Sequence, residues 1–286
     1  MKVLVLGRDG QVGWELERTM DPSWEKVCLG RGQLDLTDTT AIRDTVATVR
    51  PGIIFNAAAY TAVDRAETDS SLAFAVNAAA PAALAHAARS VGAMLVHFST
   101  DYVFSGDLDR AYTEEDATDP AGVYARSKLE GEHAVLDAGC KALVFRTSWV
   151  YASRGKNFLL TMLRLGKEGK ALRVVSDQIG APTWAREIAM GSMLAAEKLT
   201  QGTGTSGVFH MTAAGSTSWH GFAREIFAMS GLSVDLTPIP TSEYPLPAKR
   251  PMNSRLDCTK LRDAFGIELP DWKASLGECI GEVARK

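Results

Sequence analysis

The sequence predicts an α/β fold: a Rossmann-type, doubly wound parallel sheet with a smaller C-terminal α/β part. Three observations predict it. Short apolar runs, typical of buried parallel strands, alternate with helical segments through the first half of the chain. A glycine-rich turn follows the first run, and small or hydroxyl-bearing residues follow later ones. Alternating strands and helices imply parallel strands that are joined by right-handed crossovers.

Length and charge restrict the classes of protein to consider. The chain has 286 residues, 46% of them hydrophobic and 23% charged, which suits one large domain or one domain with a small second one. A net charge of −3 gives no electrostatic reason to expect a nucleic acid or an anionic membrane as partner.

Cysteine spacing and hydropathy favour a cytoplasmic protein. Cys28, Cys140, Cys258 and Cys279 are scattered, without the C-x-x-C spacing of a zinc site, and are expected to be reduced thiols. The first apolar run, residues 3–6, is too short for the core of a signal peptide. No apolar run approaches the roughly 18 to 20 residues of a membrane span.

Glycines at positions 7, 10 and 13 separate the first predicted strand from a helix. Glycine lets the backbone turn sharply and lets a diphosphate approach bare N–H groups at a helix N-terminus. We therefore expect this turn to bind the diphosphate of a dinucleotide. The spacing G-x-x-G-x-x-G departs from the usual G-x-G-x-x-G, so a glycine turn without a ligand is the alternative.

The second strand, residues 25–29, should end beside the adenosine ribose. A carboxylate there accepts a hydrogen bond from the 2′-hydroxyl of NAD, whereas an arginine accommodates the 2′-phosphate of NADP. Arg31 follows this strand and no acidic residue precedes Asp35, which favours NADPH, with a solvated loop arginine as the alternative. Asp35 and Leu36 are expected along the adenine, and Asp38 is more simply a helix cap.

Later strands are predicted to bring further residues to the same edge of the sheet, where open α/β folds bind ligands. Residues 53–56 form a third strand, which three alanines follow, and a helix over residues 71–91 begins a new segment at Pro81. Residues 94–98 form a fourth strand. His97 within it is predicted to be a packed core histidine rather than a catalyst.

Tyr124 and Lys128 are the candidate acid–base pair. Positions four apart on a helix leave the same face. An ammonium beside a phenol lowers the phenol pKa, so the pair can exchange a proton when a carbonyl and an alcohol interconvert. Thr100, directly after the fourth strand, can donate a hydrogen bond to the reacting oxygen. Taken alone, Tyr-x-x-x-Lys is more often a pair on a surface helix.

We place a domain boundary near residue 150, with residues 1–150 binding the dinucleotide and residues 151–286 mainly binding the substrate. After a fifth strand at residues 142–146 the alternation loosens, and later segments are expected to return to the sheet. The proline-rich stretch 238–251 cannot form a regular helix and suits a loop over a cleft.

A series of motifs spans the whole chain. They are residues 7–16, 56–64 and 98–104, Tyr124-x-x-x-Lys128, residues 146–151, Asp177-Gln178-x-Gly180-x-Pro182-Thr183, and Arg250-Pro251-x-Asn253-Ser254-x-Leu256. Together and in this order they resemble the extended short-chain dehydrogenase/reductase superfamily and, within it, the dTDP-4-dehydrorhamnose reductases.

The resemblance implies an activity and the residues that perform it. The C4 keto group of dTDP-4-dehydro-6-deoxy-L-mannose would be reduced by NAD(P)H to give dTDP-L-rhamnose. Tyr124 would give the proton to the C4 oxygen, while Lys128 holds the nicotinamide ribose and tunes the tyrosine. The implied cofactor positions are Gly7, Gly10, Gln11, Val12, Ala59, Tyr60 and Thr61, and the implied substrate positions are Thr100, Asp101 and Trp149.

The resemblance also implies a homodimer, bridged in some members by magnesium through glutamates. Glu15 matches one such position and Glu187 is a weaker match, with exposed helix glutamates as the alternative. Such reductases accept NADH as well as NADPH, so the preferred nicotinamide stays open.

Two further hypotheses keep the same scaffold. A nucleotide-sugar epimerase or dehydratase would retain its nicotinamide through a cycle, but Asp101-Tyr102, in place of an adjacent Asp-Glu pair, argues against a dehydratase. A non-catalytic regulatory subunit is the third hypothesis, against which the intact Thr100, Tyr124 and Lys128 argue.

Overall fold

The computed structural model describes residues 1–285, and a parallel sheet lies at its centre. The strands of this sheet are β1 Lys2–Leu6, β2 Glu25–Leu29, β3 Ile53–Asn56, β4 Met94–Thr100, β5 Ala142–Thr147 and β10 Gly207–His210. Their order across the sheet is β10-β5-β4-β3-β1-β2, and each neighbouring pair is parallel. The chain therefore winds outward in both directions from β1, as predicted for a doubly wound fold.

Helices cover both faces of the sheet and also build the second half of the chain. They are α1 Gln11–Thr19, α2 Thr39–Val49, α3 Val63–Ala66, α4 Ser70–Phe74, α5 Ala80–Val91, α6 Val123–Asp137, α7 Phe158–Lys167, α8 Ala185–Thr200, α9 Trp219–Ser230, α10 Thr259–Phe265 and α11 Trp272–Ala284. A π-helical turn occupies Ala75–Ala79, and 3₁₀ turns occupy Asp101–Val103 and Thr241–Glu243. The side chain of Asp38 accepts hydrogen bonds from the N–H groups of Thr40 and Ala41, which confirms it as the cap of α2.

Short strands outside the main sheet pair two by two. They are β6 Val150–Tyr151 with β9 Thr183–Trp184, β7 Leu172–Val175 with β12 Leu236–Ile239, and β8 Ile179–Gly180 with β11 Thr217–Ser218. The proline-rich stretch 238–251 forms no regular helix, as predicted; it contains the end of β12 and one 3₁₀ turn.

Three main clusters of buried apolar residues hold these layers together. One lies between the sheet and helices α1, α8 and α10, and a second lies between the opposite face and helices α2, α5 and α6. A third joins α7, α9 and α11 in the second half of the chain. Of the segments after residue 150, α8, β10 and α10 belong to the first cluster, and β10 pairs with β5 at one edge of the sheet. The boundary near residue 150 stays a prediction.

The predicted break at Pro81 takes an unexpected form. The helix runs on from Ser70 to Val91, but a π-helical turn precedes the proline. Proline has no N–H to donate to the carbonyl four residues earlier, that of Asn77. That carbonyl lies so near Gly131 of α6 that a Cβ there would collide with it. The two helices therefore pack with their backbones in close approach.

The same helical stretch is the one, among the helices of residues 1–285, that is long and apolar enough to cross a membrane by length and composition alone. It has 22 residues and a mean hydropathy of 1.3, but 56% of its apolar window is buried inside the protein. Such burial is typical of a core helix.

Candidate active site

A cavity of about 770 Å³ opens at the carboxyl edge of the sheet. The glycine turn after β1 lies at one end, and the end of β4 and the start of α6 lie at the other. All the predicted cofactor and substrate residues line it: Gly7, Gly10, Gln11, Val12, Arg31, Asp35, Leu36, Ala59, Tyr60, Thr61, Thr100, Asp101, Tyr124, Lys128 and Trp149. The fold thus brings together residues that are up to 142 positions apart in the sequence, as between Gly7 and Trp149.

The glycine turn fits the diphosphate of a dinucleotide. Gly7 has a φ of +82°, and a Cβ on it would lie 2.6 Å from the backbone nitrogen of Ala58, so only glycine is compatible with this approach. Helix α1 then begins after Gly10, which provides no side-chain hydrogen bond to cap it. The N–H groups of its first turn therefore suit an anion such as the diphosphate of NAD(P).

Helix α6, which carries Tyr124 and Lys128, is fixed at its start by Glu67. The Oε1 atom of Glu67 accepts a 2.9 Å hydrogen bond from the N–H of Val123, the first residue of the helix. The Tyr124 ring, one residue later, packs edge-on against Tyr102 with 5.8 Å between centroids. Glu67 and Val123 are 56 positions apart in the sequence, and this cap was not predicted.

The phenol of Tyr124 is held in its neutral form. Burial raises the pKa of Tyr124 well above its ordinary value, and a hydrogen bond between the phenol and the Thr100 hydroxyl opposes the shift only in part. The expected lowering of this pKa by Lys128 is therefore wrong for the protein alone. The ammonium instead donates a 2.6 Å hydrogen bond to the carbonyl of Phe98 in β4.

Lys128 is almost fully buried, beside a histidine that is itself inaccessible. Burial lowers the pKa of Lys128 to about 8, and the Glu132 carboxylate acts in the opposite direction. The Lys128 Nζ is 3.3 Å from His97 Nε2, and His97 Nδ1 is 3.1 Å from the side-chain amide of Asn56. Burial, and then the charge of Lys128, keep the pKa of His97 well below its usual value. His97 is buried as predicted, and it also contacts a predicted catalytic residue.

Thr100 connects the phenol to a buried carboxyl group. Its Oγ1 donates to Asp101 Oδ1 at 3.0 Å and accepts the N–H of Tyr102 at 3.2 Å. Burial raises the pKa of Asp101 to about 6, while the hydroxyls of Ser254 and Thr100 act to lower it. Ser254 explains why the motif at residues 250–256 belongs with this site, although it lies far along the chain.

Trp149 lines the cavity and has a strained backbone conformation, with a φ of +48°. Its indole stacks on that of Trp219 at 3.6 Å between centroids and 9° between planes. Gly180 leaves the necessary room, since a Cβ on it would lie 2.5 Å from Trp149. Gln178 accepts a 3.2 Å hydrogen bond from the Trp219 indole. The motif at residues 177–183 therefore supports this aromatic pair.

Asn77 ties the predicted cofactor segment to the catalytic helix. Its Oδ1 accepts the N–H of Tyr60 at 2.8 Å, and its Nδ2 donates to the Tyr60 carbonyl and the Ser127 hydroxyl, both at 3.0 Å. Asn77 and Trp219 were both missed from the sequence, because each lies within a helix that gave no sign of facing a ligand.

The predicted magnesium ligand Glu15 is bound by arginines. It is fully buried, and its carboxylate accepts from Arg18 Nε at 2.7 Å and from Arg186 Nε at 3.3 Å. Glu187 accepts a 2.6 Å hydrogen bond from Ser275. No group of three or more His, Cys, Asp or Glu side chains within residues 1–285 is arranged to hold a metal ion. These residues of one chain therefore do not fit a magnesium ion.

Comparisons with known proteins agree over nearly the whole chain. The model of the family described as the RmlD substrate binding domain matches residues 1–285. A dTDP-4-dehydrorhamnose reductase of Burkholderia thailandensis is 49% identical over 99% of both chains.

Two solved structures are similar to the same extent. The dTDP-4-dehydrorhamnose reductase of Clostridium acetobutylicum has a TM-score of 0.94 at 38% identity, over 99% of this chain and 100% of that one. That of Bacillus anthracis, solved in complex with NADP, has a TM-score of 0.94 at 35% identity, over 98% and 99% of the two chains.

Proposed function

Because the chain belongs to the dTDP-4-dehydrorhamnose reductase family, we propose that Tyr124, Lys128 and Thr100 carry out its reaction at the cavity described above. The protein reduces the C4 keto group of dTDP-4-dehydrorhamnose with NAD(P)H, giving dTDP-L-rhamnose. The observation that carries the assignment of residues is that a buried phenol, a buried ammonium and a hydroxyl meet in the same cavity as the glycine turn.

Tyr124 acts as the proton donor. Reduction adds a hydride to carbon and a proton to oxygen, so the donor must hold its proton until the transition state is reached. The raised pKa of Tyr124 meets this need, because the phenol stays protonated at neutral pH. Thr100, which is hydrogen-bonded to the phenol, orients it and supports the phenolate that remains after transfer.

Lys128 supplies a positive charge in the same cavity as Tyr124. With its pKa lowered to about 8, it is still mostly an ammonium at neutral pH. The Phe98 carbonyl and His97 fix its direction, one helical turn after Tyr124. From this position it offers donors to the hydroxyls of a nicotinamide ribose.

The nicotinamide cofactor, when bound, supplies the hydride. Gly7 and Gly10 let the diphosphate approach the backbone closely, and the N–H groups of Gln11 and Val12, in the first turn of α1, hold it. Ala59, Tyr60 and Thr61 line its path toward the tyrosine, and Asn77 fixes that segment.

The sugar nucleotide occupies the opposite end of the cavity. The Asp101 carboxyl offers an acceptor to sugar hydroxyls, and Trp149 with Trp219 offers an apolar surface. A carboxyl with a pKa of about 6 is poised between donor and acceptor roles. Trp219, from the second half of the chain, lines the same cavity as Asp101 and Trp149, which supports a substrate role for residues after the proposed division near residue 150.

A cytoplasmic homodimer is the form we propose for the protein. None of the four cysteines, which all lie within residues 1–285, forms a disulfide, and this suits a reducing compartment. Met190 and Leu194 are 53% and 43% exposed, four positions apart on α8, and suit contact with a second copy. Light scattering after size exclusion would test the dimer.

A turnover assay tests the proposed function. Purified protein should consume NADH or NADPH only when the dTDP-4-ketosugar is added. Consumption is followed as the loss of the absorbance of reduced nicotinamide at about 340 nm. Absence of turnover by protein with demonstrated cofactor binding would refute the proposal. Protein that carries tightly bound NAD through purification, and interconverts sugar epimers without net oxidation, would favour the epimerase hypothesis instead.

A further inference from the structure

The end of β2 carries no carboxylate of its own, but a carboxylate from another loop lies there. Strands β1 and β2 are parallel neighbours in register from Lys2 and Glu25 to Leu6 and Leu29, so the loops that follow them are adjacent. The N–H groups of Gly7 and Arg8 both donate to the Leu29 carbonyl. The next residue of the glycine turn, Asp9, is therefore carried to Gly30.

Asp9 covers Gly30. A Cβ built on Gly30 would lie well inside 3.0 Å of the Asp9 Oδ2 atom, so the carboxylate occupies the space in which a side chain at the strand end would start. Gly30 is buried, although the three residues after it are exposed. Its turn is fixed by hydrogen bonds from Gln33 and Leu34 N–H to the Gly30 carbonyl and from the Gly30 N–H to Gln33 Oε1.

The other charged groups at this end of the cavity are placed differently. Arg8 donates to Glu17 at 2.9 Å and so turns away from the cavity. Asp35 accepts from the N–H and hydroxyl of Thr37, both at 2.9 Å. Arg31 is exposed and lines the cavity, as do Asp9 and Gly30. Asp9 and Arg31 are thus opposite charges that directly follow β1 and β2 and line the same cavity.

We infer that Asp9, acting over Gly30, is the residue by which this protein discriminates between NADH and NADPH. The inference rests on the proposed cofactor site. In dinucleotide folds, a carboxylate at the end of the second strand accepts from the ribose 2′-hydroxyl. A 2′-phosphate carries about −1.5 to −2 charges at neutral pH, so the same carboxylate repels NADPH. Arg31 attracts that phosphate, and the balance of the two sets the preference.

Equilibrium binding of the two nucleotides, without sugar, tests the inference. Nicotinamide fluorescence gives the ratio of Kd for NADH to Kd for NADPH. Asp9→Asn is expected to raise this ratio about tenfold, because one repulsive charge is removed from beside the phosphate. Asp44→Asn makes the same charge change on an exposed face of α2 outside the cavity, and should leave the ratio within about twofold.

Gly30→Ala provides a second route to the same result, since a methyl group there must displace the Asp9 carboxylate. It should raise the ratio in the same direction, and the double variant should match Asp9→Asn alone. The inference would be overturned if the double variant changed the Kd ratio by the product of the two single effects, or if Asp9→Asn left the ratio unchanged.

Failure of the inference and failure of the proposed function give different results. If the wild-type protein binds neither nucleotide, both the proposed function and the role of Asp9 are contradicted. Protein that binds both nucleotides and turns over the ketosugar, with a ratio that Asp9→Asn leaves unchanged, would remove only the role of Asp9.

Discussion

His97 Nε2 lies 3.3 Å from Lys128 Nζ, so a neutral histidine is the direct neighbour of the buried ammonium. The geometry makes His97 an acceptor that steadies Lys128, and hence a positioning residue. For Nε2 to accept from the ammonium, Nδ1 must carry the proton and donate it to Asn56. The Asn56 Oδ1 is otherwise without a hydrogen-bond partner among residues 1–285, so a rotated amide, with Oδ1 at Nδ1, would satisfy both groups.

Replacing His97 by leucine is therefore expected to lower kcat/KM about tenfold, since a hydrogen bond to a charged group contributes roughly 1.5 to 3 kcal/mol. It should also move the alkaline limb of the pH profile to lower pH, because an ammonium with one acceptor fewer loses its proton more readily. His97→Gln keeps an acceptor and should recover most activity. His86→Leu, on an exposed face of α5, is the matched control. An unshifted pH profile in His97→Leu would contradict the positioning role.

Replacing Tyr124 by phenylalanine should remove the proton donor while keeping the ring. We expect kcat to fall about 10²- to 10⁴-fold, the usual contribution of general acid catalysis. The Kd for NADPH should change less than about twofold, because the ring still packs against Tyr102. Tyr112→Phe removes a phenol outside the cavity and controls for a general effect. Comparable kcat values for the Tyr124 variant and wild type would assign the proton to another group.

Activity should fall as the pH rises through about 8, where Lys128 loses its charge. Tyr124, with its pKa raised, does not titrate in this range, so the limb belongs to the lysine. We do not expect this loss of activity to result from unfolding. A base whose pKa is lowered by folding binds fewer protons in the folded state, so its contribution to stability increases between about pH 8 and 10.5. The profile of kcat/KM, with circular dichroism at each pH, measures both, and a flat profile to pH 10 would contradict this assignment.

The fold was predictable from the sequence because its evidence is local. Apolar runs, the glycine turn and the Asp38 cap each leave a signal within a few residues, and the strands they predict are the strands of the sheet. The π-helical turn before Pro81 was not predictable, since its backbone packs against Gly131 of α6, a helix some 50 residues later. The hydrogen bond between Asn77 and Ser127 joins the same turn to the same helix and was equally unpredictable.

The candidate site was predictable where a residue type has intrinsic chemistry, as for Tyr124 and Lys128. It was not predictable where a residue acts by contact across the fold. Glu67 and Asn77 belong to this second group, because nothing in their local sequence specifies which backbone they bind. The pKa of Tyr124 is raised, against expectation, for the same reason: burial is a tertiary property, and Lys128, although close in sequence, directs its ammonium to the Phe98 carbonyl.

Gly180 provides the space in which Trp149 stacks on Trp219, at the part of the cavity that we propose for the sugar nucleotide. Its φ is not positive, so alanine is compatible with the backbone, but the added Cβ would lie 2.5 Å from Trp149. Trp149 must then shift and give up its stacking on Trp219, an arrangement that contributes roughly 0.5 to 1.5 kcal/mol. We expect Gly180→Ala to raise the KM for the sugar nucleotide about three- to tenfold, with the Kd for NADPH unchanged.

Near-UV circular dichroism reports the loss of the coupled indoles directly. Gly281→Ala, at a position where a Cβ would meet no atom within 4 Å, is the control for an added methyl group. The double variant Gly180→Ala/Trp149→Phe should show a smaller rise in KM relative to Trp149→Phe alone, because the smaller ring leaves space for the methyl group. If Gly180→Ala leaves both the dichroism and the KM unchanged, the pair does not bind the sugar nucleotide and Trp149 has another role.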